Sequence, residues 1–159
     1  MEPRAEQLSM YGEEATAGSL DWSWVEAQLT DAGAYWTVTT GLGHPHPRPV
    51  WGVWSSSTLH LSVGSPRLAA DLGAGGPVTV HLGSVTDVVI VEGMSTGPST
   101  DAEVLAAYNA KYEWEYTVAE YGPLTVVAPT KVIAWRSAGW AGRGSFRQTG
   151  RWRFPPHAQ

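Results

Sequence analysis

The chain contains no cysteine, which removes disulfides, thiolate catalysis and Cys-based zinc or iron–sulfur sites from consideration. No apolar run approaches the ~18–20 residues that a spanning helix needs. Charged residues make up only 16% of the sequence, low for a globular protein. No GxGxxG follows a strand into a helix, and no Walker pattern is present. No GxSxG elbow and no carboxylate pair at hydrolytic spacing appear either. No side chain therefore reads as a nucleophile with its own base, and no catalytic residue is assigned; the reactive atom of any enzyme here belongs to a cofactor. The opening residues, MEPRAEQLSMYGEEATAGS, are acidic and lack an apolar core segment, so no secretory signal is expected and a cytoplasmic location is.

What remains is a chain of 159 residues, 43% hydrophobic, enough for one domain with a real core. Residues 1–18 lack periodicity and are expected to be a mobile arm; residues 19–159 are expected to form a single domain. Nine tryptophans are many for this length; most should fill the core, and the rest can wall a planar ligand. Charge is uneven. All fifteen acidic residues lie in 1–120, against four basic ones. Residues 121–159 hold Lys131, Arg136, Arg143, Arg147, Arg151 and Arg153 and no acid. That asymmetry points to an anionic partner for the C-terminal segment, or to neutralisation of acidic surface elsewhere. The basic run is short and the net charge is −5. A small phosphorylated or carboxylated ligand is thus a better match than nucleic acid.

Periodicity gives the elements. Ser23-Trp24-Val25-Glu26 has capping-box spacing, predicting a helix to about Leu29 that stops near Gly33. Ala34 to Thr40 is aromatic and β-branched and reads as a strand. Gly41 to Pro49, with three prolines and two glycines, reads as an extended hairpin loop. Pro49–Trp54, Leu59–Val63 and Val78–Leu82 read as strands, with a short helical run at Leu68–Leu72. Asp87–Met94 reads as a strand covered on both faces. Thr100 and Glu103 form a second capping box ahead of a helix carrying Val104, Leu105, Tyr108 and Tyr112 on one face, with Lys111 beside it, and continuing through YEWEY. Thr117–Glu120 starts a further short helix ending at Gly122. Leu124–Ala128 and Lys131–Arg136 are two strands separated by Pro129. Ser137–Gly150 reads as a surface loop, and Arg151–Phe154 alternates again. Six or seven strands with few helices and no regular βαβ alternation predict a mainly β fold, a small antiparallel barrel with peripheral helices.

The stretch Arg48–Leu82 concentrates the candidate chemistry. Gly52, in the middle of an aromatic strand, allows close approach by another group. Ser62-Val63-Gly64-Ser65-Pro66-Arg67 joins a strand to a helix start, where backbone N–H groups and the helix dipole can hold an anion beside the Arg67 charge. His44 and His46 form an HxH pair. No further ligands accompany it, so no metal site is assigned.

Several runs in order resemble one family. Tyr35-Trp36 with Thr39, then His46-Pro47-Arg48-Pro49-Val50-Trp51-Gly52-Val53-Trp54, is similar to the opening of the pyridoxamine-phosphate-oxidase-like split barrels, and more narrowly to the actinobacterial flavin/deazaflavin oxidoreductases. The likeness continues through Val78–Leu82, Asp87–Gly93, Lys111–Trp114, Lys131–Trp135 and Arg151–Phe154, covering roughly residues 20–154. The resemblance implies a homodimer of split barrels with cofactor clefts at the interface. It implies hydride transfer between coenzyme F420, or alternatively FMN, and a small planar or unsaturated organic substrate. A third reading keeps the fold and binds a ligand without catalysis. Carried onto this chain, the cofactor-binding residues are Arg48, Pro49, Val50, Trp51 and Gly52 at the ring, Ser62, Gly64, Ser65 and Arg67 at the anion end, and His81, Arg151 and Trp152. One departure stands out. Relatives carry several basic residues after the Ser65 position, whereas here Pro66-Arg67-Leu68-Ala69-Ala70-Asp71-Leu72 keeps only Arg67 and adds Asp71. Each charge-assisted hydrogen bond lost there weakens anion binding by ~1.5–3 kcal/mol.

Overall fold

The computed structural model describes residues 3–9, 20–137 and 148–155. In chain order these form β1 (Arg4–Glu6), α1 (Trp22–Asp31), β2 (Tyr35–Thr39), a 3-10 turn (Gly41–Gly43), β3 (His46–Ser55), β4 (Thr58–Ser62), α2 (Pro66–Gly73), β5 (Gly76–His81), β6 (Asp87–Ser99), α3 (Ala102–Tyr112), α4 (Val118–Tyr121), β7 (Leu124–Arg136) and β8 (Gln148–Arg153). All strand pairings are antiparallel. The order β7-β4-β3-β2-β5-β6 closes because β6 also pairs with β7. The result is a six-stranded barrel, and β8 and β1 extend the sheet outward from β7. β7 serves both parts. Its first half pairs with β4, from Thr125 to Val127, and its second half pairs with β8, from Lys131 to Arg136.

Alternation decides what fills the barrel. Leu59, Leu61, Val78, Val80, Val89, Val91, Val127, Val132 and Ala134 are buried and belong to one core cluster, one face of each strand turned inward. Two helices add to it. α1 inserts Val25 and Leu29, and α2 inserts Leu68 and Leu72, all at most 1% exposed. Each such side chain removed from water contributes about 1.5–3 kcal/mol. Trp152 is buried in the same core, 5.4 Å from Trp22. A second cluster lies outside the barrel, where Val104 and Tyr108 of α3, together with Tyr116, cover Val53 of β3 and Leu124 of β7.

Several local expectations change. α1 is preceded by Asp21 and carries no side-chain cap, so Ser23 lies inside the helix. Asp101 rather than Thr100 caps α3, its Oδ1 accepting from the Glu103 and Val104 amides at 2.8 and 3.2 Å. α3 stops at Tyr112, with Glu113 left-handed at φ 50°. The Asn109 side chain fixes that stop: it donates to Tyr116 O at 3.1 Å and accepts from Tyr116 N at 2.7 Å. Thr117 caps α4 as its spacing predicts. β7 runs unbroken through Pro129, because a bulge in its pairing with β6 falls there: Glu92 pairs with Lys131 and Gly93 with Pro129. A proline needs such a position inside a sheet. β6 extends five residues beyond Met94, and its burial alternates, so it is covered fully on one face only.

The loop expected at Gly41–Pro49 is shorter, since β3 already begins at His46. Pro47 and Pro49 are two residues apart, so their missing donors face the same side of the strand. β4 pairs only from Trp51 onward, so that side has no ladder to break. Arg4–Glu6, placed by the sequence in the arm, pairs with β8, and Leu8 O accepts from Thr149 Oγ1 at 2.7 Å. Residues 10–19 lie outside the described residues, as does most of the expected loop at 137–150; its last three residues are strand.

Candidate functional site

β2 and β3 carry the site. The register Trp36–Pro49 and Trp36–His81 places Pro49, Trp36 and His81 in one row across β3, β2 and β5 on the outer face. Trp36 is 38% exposed and lies parallel to the His81 ring at 6.1 Å. Two residues along β3, Trp51 is 46% exposed, with one face stacked on Tyr112 at 4.6 Å. Trp114 meets its edge at 6.3 Å. Among the described residues this is a strip of exposed aromatic and proline surface, and flat rings pack on such strips.

Beyond the start of β2, the backbone of β3 needs other partners. Gly52 N donates to Tyr112 Oη at 2.9 Å, and Gly52 O accepts from Tyr112 Oη at 2.9 Å and from Lys111 Nζ at 3.1 Å. Tyr112 Oη is also 3.1 Å from Gly33 O. Lys111 Nζ donates to Tyr35 Oη at 3.0 Å and sits over the Tyr35 and Tyr112 rings at 4.9 and 5.4 Å. Burial lowers the Lys111 pKa from 10.5 to about 8, with Asp31 opposing, and burial raises Tyr35 and Tyr112. A Cβ at Gly52 would lie 2.6 Å from His60 O. The close approach that Gly52 was expected to allow is made by the backbone of β4, at His60 O.

The anion end is a cluster where α2 meets the β2–β3 connection. Ser65 Oγ accepts from Leu68 N at 3.5 Å, capping α2, and Pro66 supplies no N–H. Arg67 Nη2 donates to Gly41 O at 3.0 Å, while its Nε is buried without a partner. Asp71 Oδ2 accepts from Thr39 Oγ1 at 2.7 Å, and the Asp71 carboxylate occupies the space a Gly41 side chain would need. His46, 7% exposed, pairs in register with Thr39, and its Nε2 has no partner. Its pKa is lowered by desolvation, then by Arg48 and Arg67, with Asp71 opposing. Arg48 is exposed, and its Nη1 donates to Pro47 O at 2.8 Å. Two ring or guanidinium nitrogens in one cluster have no hydrogen-bond partner among the described residues, and a donor shut off from water without a partner is unfavourable. An anionic oxygen is the partner that a cluster holding two arginines and an imidazole takes most readily.

The expected site residues thus divide. Arg48 and Arg67 gather around His46; Pro49, Trp51 and His81 form the strip with Trp36. Val50 is half-buried and packs on the core. Ser62 is half-buried against Tyr108 and Tyr116, and Gly64 is exposed with open space around it. Trp152 is 2% exposed inside the barrel and is not available to a bound ring. Arg151 is on β8, separated from β3 by β7 and β4 in the sheet order, and pairs with Glu6 at 3.7 Å. Arg153 also pairs with Glu6 at 3.1 Å, Lys131 with Glu92 at 2.6 Å and Arg136 with Asp87 at 3.3 Å. All four described C-terminal cations neutralise acidic groups of the same chain. Among the described residues this matches the second of the two expectations for that segment, neutralisation of acidic surface; Arg143 and Arg147 lie outside the described residues. Sequence reasoning gave His46 no anion role and read Asp71 only as repulsive charge. The signal for both was their spacing from Arg48 and Arg67.

Among the described residues no helix is long and apolar enough to cross a membrane. No family model matches the chain, and no curated protein matches it in sequence. Solved structures do match. An FAD binding protein from Mycobacterium smegmatis is 19% identical, with a TM-score of 0.55, over 87% of this chain and 100% of that one. General Stress Protein 26 from Bacillus anthracis is 15% identical, with a TM-score of 0.54, over 69% and 92%. A Clostridium acetobutylicum protein related to general stress protein 26, of the pyridoxinephosphate oxidase family, is 8% identical, with a TM-score of 0.56, over 83% and 92%. At these identities the likeness establishes the fold alone, an antiparallel split barrel.

Proposed function

We propose that the chain is an oxidoreductase that binds a tricyclic flavin or deazaflavin cofactor, coenzyme F420 first and FMN as the alternative, and acts on a small planar or unsaturated organic molecule. The observation that carries the reading is the pairing of an exposed aromatic strip with a buried cluster of unpartnered nitrogens, His46 Nε2 and Arg67 Nε. The two lie toward opposite ends of β2, Trp36 and Thr39 being about 10 Å apart along an extended chain. Thr39 and His46 face inward while Trp36 faces outward, so a group that uses both would pass around the end of β2. Pro49, Trp36 and Trp51 would hold the ring, and Arg48, Arg67 and His46 the anionic tail, while Val50 packs on the core behind them. Bound there, the cofactor supplies the redox chemistry that no side chain offers. The chain's own contribution is orientation: β3 fixes the ring platform, and Trp36 and Trp51 keep water from one side. The M. smegmatis neighbour, an FAD binding protein, supports a flavin-type ligand.

Titration of the purified protein with F420, FMN and FAD, followed by fluorescence, tests this. Micromolar binding of F420 is the expected outcome. Tighter binding of FMN or FAD selects the flavin alternative, and no binding by any of the three removes the proposal. Asp71 beside the anion cluster favours a second reading, a ligand-binding protein without turnover. Binding without hydride transfer to any of a panel of acceptors would select it. We also propose that two copies associate through the outer face of β2, β5, β6 and β7, which places Trp36 and His81 at the interface.

A further inference from the structure

The cluster at the start of α2 holds opposite charges that do not meet. Arg67 and Asp71 stand one helical turn apart on α2, a spacing at which opposite charges can pair. Neither is in an ion pair among the described residues, nor is Arg48. Each is committed elsewhere: Arg67 Nη2 donates to Gly41 O, and Asp71 Oδ2 accepts from Thr39 Oγ1. That leaves Arg67 Nε and His46 Nε2 shut off from water with no partner, His46 being 7% exposed. It also leaves Asp71 Oδ1 with no donor among the described residues. Arg48, Arg67 and Asp71 all act on the His46 imidazole, so these atoms belong to one cluster.

The two nitrogens call for an anionic oxygen, and the first turn of α2 adds its positive dipole end. Asp71 sets a condition on that anion. A fully deprotonated one meets like charge at the carboxylate, whereas an oxyanion that carries its own hydrogen can donate to Oδ1. A phosphate group with a P–OH offers both acceptor oxygens and that donor. Sulfate and phosphate diesters share the tetrahedral shape and have no hydrogen to give.

We propose that Asp71 makes this cluster selective for a phosphate group bearing a P–OH, free or as a monoester, over sulfate and over diesters. The inference rests on the anion half of the reading above and deepens it. FMN carries a monoester and the phosphate of F420 is a diester, so within that reading it favours the FMN alternative.

The test titrates phosphate and sulfate, at about pH 6 and fixed ionic strength, against the 15N-labelled full chain. The readout is the His46 imidazole resonances, assigned through His46→Gln. At that pH phosphate keeps a hydrogen and carries less charge than sulfate, so a preference for phosphate is not one of charge. Phosphate should shift the resonances saturably, with sulfate at least about tenfold weaker, because a site built to pair a hydroxyl rejects the analogue lacking it. Asp71→Asn keeps an acceptor for Thr39 and offers an N–H to sulfate, so the preference should vanish. If that variant fails to fold, the natural chain's own comparison of the two anions decides. Displacement of phosphate by FMN but not by riboflavin marks a cofactor tail as the source, and phosphate left undisturbed by FMN marks the free anion. Equal or tighter binding of sulfate, or an undiminished preference in Asp71→Asn, overturns the selectivity and leaves the anion site standing. No shift with either anion overturns both.

Discussion

Lys111 is the side chain whose ionisation the fold constrains most directly. Its ammonium is held by Tyr35 Oη and Gly52 O between two aromatic rings, and burial brings its pKa from 10.5 to about 8. The folded state therefore releases this proton at lower pH than the unfolded chain does. Between about pH 8 and 10 the unfolded chain binds more protons, so stability rises with pH across that window. The gain is roughly 1–2 kcal/mol once solvent screening of a half-exposed group is counted. Above about pH 10 the sign reverses. Tyr35 and Tyr112 have raised pKa values, and the unfolded chain then loses its tyrosine protons first. Urea midpoints measured from pH 7 to 10 should climb for the natural chain. For Lys111→Met they should stay level, since Tyr112 still bonds Gly52 O and Tyr35 still donates to Leu29 O at 2.6 Å. A level profile in the natural chain would mean that the ammonium is better solvated than its contacts imply.

The β3–β4 hairpin carries strain that its sequence does not advertise. Ser55 pairs with Thr58, leaving Ser56 and Ser57 as a two-residue turn, with φ of 50° and 61°. Such a turn matches strand twist but favours Asn-Gly, and left-handed serine costs about 1 kcal/mol. Ser57→Gly should raise the urea midpoint at unchanged slope by up to about 1 kcal/mol, part of the relief being offset by glycine's freedom when unfolded. A lower midpoint would show that the turn is not of this kind. The same hairpin shows what was legible in the sequence. Leu59 and Leu61 alternate with polar residues, and that periodicity located β4 and the face it buries. Composition misled at His46–Pro49, because proline reads as loop unless one knows that β4 has not yet begun beside it. It misled again at Pro129, where the bulge belongs to the pairing with β6 rather than to β7 alone. What was legible is local placement: Arg48 and Arg67 lie near His46, and Pro49 and Trp51 share the outer face of β3. The site was illegible where it depends on what packs behind. Trp152 alternates like a surface strand residue, yet the inward face of β8 turns it into the core. Close approach at Gly52 was legible, but that the approaching group is His60 O of β4 was not.

At the scale of the whole molecule, the barrel wall is covered unevenly. α3 and Tyr116 lie over β3 and the start of β7. The outer face of β2, β5, β6 and the second half of β7 has no helix over it among the described residues. Register places Ile133, Ile90, His81, Trp36 and Pro49 in one row across that face, and Lys131, Glu92, Thr79, Val38 and Pro47 in the next. Ile133, Ile90 and Val38 are half-buried, and Trp36 and Met94 are 38% and 41% exposed. An apolar surface of this extent, with the Glu92–Lys131 pair beside it, has the make-up of an interface core with a polar neighbour. A stable dimer needs about 800 Å² of such surface from each partner. In a twofold arrangement the same patch serves both copies, so one substitution is felt twice. Sedimentation at micromolar concentration should show a dimer, and Ile133→Glu should convert it to monomer. The circular dichroism spectrum should stay unchanged, because Ile133 points away from the barrel core. If the variant stays dimeric, the contact lies elsewhere, and Trp36 and His81 are open to solvent instead of lining a shared cleft. If the natural chain is itself a monomer, any cofactor it binds must be held by the strip and the His46 cluster of one copy alone.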